Sequence, residues 1–230
     1  MHTQTGFSRR TLPVANEHSS HYVAHQFDDL EQQKEAGTLG MWTFLATEIL
    51  FFGGMFMAYF VYRFSYPDAF AAASHYMDIL LGGINTGVLL VSSLTMALAV
   101  HAAQEGKRKQ IILFLIITMV FGVTFLVIKG FEYHHKYVEH LVPGWNFEYK
   151  GPNAGKAEIY FILYFVMTGF HALHLIIGIG VLSVIAMMTA RGNFTKEYYS
   201  PVEVSGLYWH FIDIVWIFLY PLLYLIHVHK

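Results

Sequence analysis

Apolar positions in this chain fall in long unbroken blocks, separated by short polar stretches. The blocks cover about residues 39–62, 78–101, 109–132, 157–190 and 203–228. Each supplies the roughly 20 residues a helix needs to cross a hydrocarbon core of about 30 Å. Only helices and closed barrels satisfy their backbone groups in lipid, and these blocks do not alternate apolar with polar, so they predict helices. The fourth block would reach about 50 Å at about 1.5 Å per residue, so it must tilt or project beyond the membrane. The fold class expected is therefore all-α: a polytopic membrane protein, a bundle of five transmembrane helices over residues 37–230, behind a polar tail at 1–36.

The breaks between blocks carry turn chemistry. Residues 102–109 contain Glu105-Gly-Lys-Arg-Lys109, and residues 191–201 contain Arg191-Gly-Asn and Ser200-Pro201. The stretch from Glu132 to Lys156 is longer and holds Pro143-Gly144-Trp145 and Gly151-Pro152. Five spans put the two ends of the chain on opposite sides. The side shared by the N-terminus and the two tight turns carries eight Lys/Arg against six on the other. The Lys107-Arg108-Lys109 cluster in a short turn points to a cytoplasmic N-terminus and a periplasmic C-terminus. The tail has His2, His18, His21 and His25 at uneven spacing, which reads as a surface tail rather than a metal site. It lacks the early apolar core of a signal peptide and is expected to be retained.

Composition agrees with the pattern. The chain is 55% hydrophobic, 17% aromatic and only 13% charged, where a soluble domain carries about 25% charge, and its mean hydropathy is +0.44. A net charge of −2 leaves no nucleic-acid footprint. The absence of cysteine removes disulfides, thiolate metal sites and Cys-attached haem.

Against that apolar background the polar residues inside the spans stand out. Glu48 lies mid-way along the first, where a charge costs roughly 2.5–3.5 kcal/mol on insertion scales. A protonated Glu48, hydrogen-bonded to Thr47 or to a neighbouring helix, would avoid most of that cost. In the second span Gly83-Ile-Asn-Thr-Gly87 fits a small-xxx-small packing pattern, and Asn85 shares a face with Ser92. Lys129 and Glu132 are spaced to pair at the end of the third. His171 and His174 share a face of the fourth. Glu203, His210 and Asp213 form a stripe along the fifth, flanked by Trp209 and Trp216. Three readings of this set stand open: a metal or haem site, a proton relay, and a structural network of mutually satisfied buried groups.

The same residues carry a family resemblance. Thr47-Glu48-Ile-Leu-Phe-Phe-Gly53, Asn85-Thr86-Gly-Val-Leu-Leu90 with His101 and Glu105-Gly106, Gly130-Phe-Glu132-Tyr133, Thr168-Gly-Phe-His171-Ala-Leu-His174 and Tyr208-Trp-His210-Phe-Ile-Asp213-Ile-Val-Trp216 fall in order on all five spans. The chain resembles subunit III of the cytochrome c oxidase type of haem–copper terminal oxidase, in a five-helix bacterial form without the first two of seven spans. The resemblance implies a subunit with no redox cofactor, metal or catalytic residue of its own. Haem and copper would sit in subunits I and II, with a small subunit IV and membrane lipids as further partners. The complex would reduce dioxygen to water and pump protons in a bacterial plasma membrane, with cytochrome c or quinol as donor. Glu48 would be the family's membrane-buried glutamate. Asn85, Glu132, His171, His174, Glu203, His210 and Asp213 would join it in a buried polar, proton-linked network. The alternatives are subunit III of a quinol oxidase or the related subunit of a nitric oxide reductase. From a different class comes a stand-alone membrane haem protein or proton-coupled transporter.

Overall fold

The computed structural model describes residues 25–144, 147–151, 153–196 and 198–226. His2, His18, His21, Trp145, Pro152 and the last two residues of the fifth predicted span lie outside them. Among the described residues six helices follow one another: α1 (Leu30–Ser65), α2 (Pro67–Ser74), α3 (Ile79–Gln104), α4 (Arg108–Val138), α5 (Ala154–Arg191) and α6 (Ser200–Tyr224). All except α2 are long and apolar enough to cross a membrane, so the protein is a multi-pass, all-helical membrane protein.

The helix ends follow local chemistry. Asp29 caps α1 by accepting from the Gln32 amide at 2.7 Å, and Glu31 favours the positive end of the helix dipole. With good helix formers through Ala36, these features start α1 at Leu30, inside the segment read from sequence as a polar tail. Asp78 caps α3 in the same way, accepting from the Leu81 amide at 3.0 Å. The short α2 has no counterpart in the sequence reading. Pro67 sits in its first turn and its Ala and Phe side chains bury against α1 and α5. The breaker Arg191-Gly192 ends α5 with Gly192 at φ 86°, left-handed backbone that favours glycine.

α6 is the centre of the bundle. Over half of its spanning window is buried, 56%, against 17–28% for the other four. It packs against α3, α5 and α1, while α4 closes the bundle against α3 and α5. Its two tryptophans are wholly buried. Trp209 is clasped between glycines: a Cβ on Gly122 of α4 would lie 2.9 Å from its ring, and one on Gly178 of α5 would lie 3.2 Å from it. Close approach on α3 occurs where Gly82 meets the Tyr220 ring, at 2.7 Å from a Cβ position. Gly87 faces open space, so the Gly83/Gly87 pair predicted to bring backbones together is not the contact. The packing row is shifted toward Gly82 by the bulk of Tyr220 and Tyr224.

The far end of α6 shows how a helix terminus is finished inside a membrane bundle. Its last carbonyls have no intrahelical partner. The Tyr59 hydroxyl of α1 donates to the Leu222 carbonyl, and the Tyr160 hydroxyl of α5 donates to the Leu223 carbonyl at 2.6 Å.

Candidate functional site

Glu48 finds its partner on α5. Its carboxyl oxygen lies 3.0 Å from His174 Nε2, with both side chains largely buried. Thr47, the local partner expected from sequence, donates to the Phe44 carbonyl of its own helix at 2.7 Å. His174 Nδ1 lies 2.8 Å from the Phe170 carbonyl. A carbonyl oxygen only accepts, so Nδ1 carries a proton, and a neutral His174 would present a bare Nε2 to Glu48. The 3.0 Å contact therefore holds one more proton. It is either a carboxylic acid donating to Nε2 or an imidazolium donating to a carboxylate. The pair has the composition of a single proton shared between α1 and α5. Phe51 and Phe52 pack on the imidazole, with centroids at 6.2 and 5.2 Å. The Tyr208 hydroxyl donates to the His174 carbonyl at 3.1 Å. The pair opens on a cavity of about 430 Å³ walled by Phe44, Ile177, Val181 and Tyr208.

A second polar centre is wholly enclosed. Lys129 and Glu132, one helical turn apart on α4, form an ion pair at 3.1 Å with side chains 4% and 2% exposed. Glu132 also accepts from the Tyr164 hydroxyl of α5 at 2.8 Å and the Tyr224 hydroxyl of α6 at 2.6 Å. The Lys129 ammonium donates to both phenol oxygens and lies 4.8–5.7 Å from the ring centroids of Tyr133, Tyr164, Trp216 and Tyr224. A buried ion pair is tolerable only when its remaining donors and acceptors are satisfied, and here two tyrosines and an aromatic cage do that. The sequence showed the pair but not the cage, which Tyr160/Tyr164 and Tyr220/Tyr224 at i, i+4 could have signalled.

The remaining polar residues divide among separate environments. His171 is enclosed between Phe125 and Trp216, at 5.4 and 5.2 Å between centroids, and neither ring nitrogen has a hydrogen-bond partner among the described residues. It and His174 share a helical face, yet His174 meets Glu48 while His171 is held by aromatic rings alone. Asn85 is fully buried on α3, again with no side-chain partner among the described residues. His210 Nδ1 meets the Ser93 hydroxyl at 2.7 Å, and Asp213 sits beside the same serine without reaching hydrogen-bond geometry. Glu203 lies at the surface, 3.7 Å from Lys34 of α1, so the predicted stripe runs from a surface ion pair into the core. Trp209 and Trp216 tie α6 to α3 by donating to Ser92 at 3.0 Å and Thr86 at 3.1 Å. Among the described residues no group of three or more His, Asp or Glu side chains is placed to hold a metal ion.

Comparison with known proteins places these features in a family. A sequence profile described as cytochrome c oxidase subunit III matches residues 24–228. The cytochrome c oxidase subunit 3 of Oncorhynchus mykiss is 34% identical over 193 residues, covering 80% of this chain and 67% of the relative. Those of Gadus morhua and Salmo salar are 34% and 33% identical over the same coverage.

Proposed function

The chain belongs to the cytochrome c oxidase subunit III family, and on that premise we propose that it is the non-redox third subunit of a proton-pumping haem–copper oxidase in a bacterial plasma membrane. It works there with subunits I and II, which carry the haem and copper chemistry and receive electrons from cytochrome c or quinol, and with a small subunit IV. Its own work is to hold the complex together, to retain lipid and to support proton uptake by subunit I. In this reading the N-terminus is cytoplasmic and the C-terminus periplasmic.

The Glu48–His174 pair is the observation that carries the reading. It joins α1 to α5 through one proton, faces an apolar cavity of about 430 Å³, and stands apart from the enclosed Lys129–Glu132 cluster. α1 supports the assembly role. It is the least buried of the long helices and presents Leu39, Ile49, Leu50, Met57 and Phe64 outward. That is an apolar face wide enough to pack on another membrane subunit.

Substitution at Glu48 tests this. Glu48→Gln keeps the shape of a neutral acid and a donor toward His174 Nε2, so the complex is expected to assemble at normal yield. Its rate of proton uptake during turnover should fall if the shared proton is exchanged, and stay unchanged if the pair only braces α1 on α5. Glu48→Lys places an obligate cation against His174 near the bilayer centre, which costs roughly 2.5–3.5 kcal/mol, and yield should drop sharply. Normal yield and activity of Glu48→Lys would contradict the buried pair.

A further inference from the structure

One side of the bundle leaves α6 uncovered. α1 and α3 both pack on α6 but are not packed on each other, so a strip of α6 shows between them. Ile214, Ile217 and Phe218 lie on that strip and are 43–57% exposed. Phe56 of α1 borders it, edge-on to Phe218 at 6.5 Å between centroids. Leu90 and Ala97, one turn either side of Ser93, border it on α3 and are exposed. Each border also has a bare backbone position: a Cβ on Gly53 or on Gly87 would meet nothing within 4 Å.

A polar pair interrupts this apolar strip. His210 is half-buried one turn before Ile214, and its Nδ1 meets the Ser93 hydroxyl at 2.7 Å. Other span hydroxyls donate to the carbonyl one turn back, as Ser183, Thr189 and Ser205 do at 2.7–2.8 Å. Among the described residues Ser93 makes no such bond, and it makes none to Asp213, whose oxygens have no partner there. The Ser93 proton therefore goes to Nδ1, and the ring proton of a neutral His210 sits on Nε2. Nε2 has no partner among the described residues and is not enclosed, so its N–H opens onto the strip.

Depth removes the ordinary partners for that N–H. Glu203, in its surface ion pair with Lys34, lies about 10 Å from His210 along α6, and Tyr224 ends the helix about 21 Å away on the other side. In a hydrocarbon core about 30 Å thick, His210 faces acyl chains. These carry no acceptor, and an unsatisfied polar group among them is costly. Headgroups and bulk water lie out of reach, whereas a side chain of another membrane helix can arrive at this depth.

We propose that the strip is the docking face for a transmembrane helix of a partner subunit, one that brings a hydroxyl, amide or carboxylate oxygen to His210 Nε2. Ile214, Ile217 and Phe218 supply apolar contact beside that bond, and the bare Gly53 and Gly87 let the incoming backbone approach closely. The docking face deepens the proposed function and rests on it, in taking the chain to be one subunit of a complex.

The test places the photoreactive residue p-benzoylphenylalanine at Ile217 in membranes that hold the assembled complex. Irradiation is expected to join the chain to a membrane span of another subunit, and peptide mass spectrometry should find Ser, Thr, Asn, Gln, Asp or Glu in that span. Adducts with lipid alone, with a second copy of this chain, or with a span lacking such a side chain would overturn the proposal. Two variants give a second readout. Ile217→Trp keeps the surface apolar but blocks close approach, so the chain should reach normal membrane yield while the partner that co-purifies falls about tenfold or more. His210→Phe removes the N–H and should lower co-purification in the same sense. Wild-type co-purification with Ile217→Trp would refute the docking face even where His210→Phe fails to fold. Failure of the proposed function shows separately, as a cross-linked partner in a complex that carries no haem.

Discussion

Lys129 and Glu132 are the residues whose removal should cost most. They are buried together, and each phenol around them is committed to the pair. Lys129→Ala leaves the Glu132 carboxylate enclosed with two phenol donors and no cation, a change worth about 3–5 kcal/mol when a buried pair loses one partner. The combined Lys129→Met and Glu132→Gln variant removes both charges and keeps an acceptor for Tyr164 and Tyr224, so it should lie much closer to wild type. Thermal unfolding of the wild type, Lys129→Met, Glu132→Gln and the combined variant in detergent gives the coupling directly. A loss in the combined variant equal to the sum of the two single losses would show that the charges do not act as a pair. At this scale the sequence was informative about which residues matter and less so about their partners. Lys129–Glu132 followed from i, i+3 spacing. Glu48–His174 spans 126 positions and Glu203–Lys34 joins two helices, and spacing on a single helix cannot express either contact.

At the scale of elements, α6 depends on neighbours to finish its C-terminal turn. The Tyr160→Phe variant would leave the Leu223 carbonyl without its donor, and an unsatisfied buried acceptor costs about 1–3 kcal/mol. A matched Tyr62→Phe change on the exposed side of α1 should be nearly silent. Detergent melting of both variants checks the contrast, and a silent Tyr160→Phe would mean that water reaches this turn. The five long helices were legible because span length and the absence of alternation are set by the bilayer. α2 was not, because an eight-residue helix opened by a proline, with five Ala and Phe in a row, gives no period long enough to read. The glycine contacts were half legible. A small residue signals close approach, but which glycine is used depends on where Trp209 and Tyr220 arrive from another helix.

For the whole molecule, the arrangement is a bundle built around α6, with its charge sorted by depth. Lys129, Glu132 and His171 in the interior are ion-paired or enclosed by aromatic rings, Asn85 and Asp213 are buried with no side-chain partner among the described residues, and Lys107, Arg108, Lys109, Arg191 and Lys196 lie exposed in the turns that join α3 to α4 and α5 to α6. The family assignment makes the chain part of an oxidase complex. The proposed role is that of a non-redox member of a haem–copper oxidase. It is tested most directly by purifying the tagged chain in mild detergent, recording haem absorbance, then releasing the subunits and recording native masses and spectra of each. Haem is expected to co-purify with the intact complex and to leave entirely with a partner subunit, so that the released chain has its bare polypeptide mass. Haem retained stoichiometrically by the released chain, or a chain that purifies fully folded with no haem-bearing partner, would contradict it.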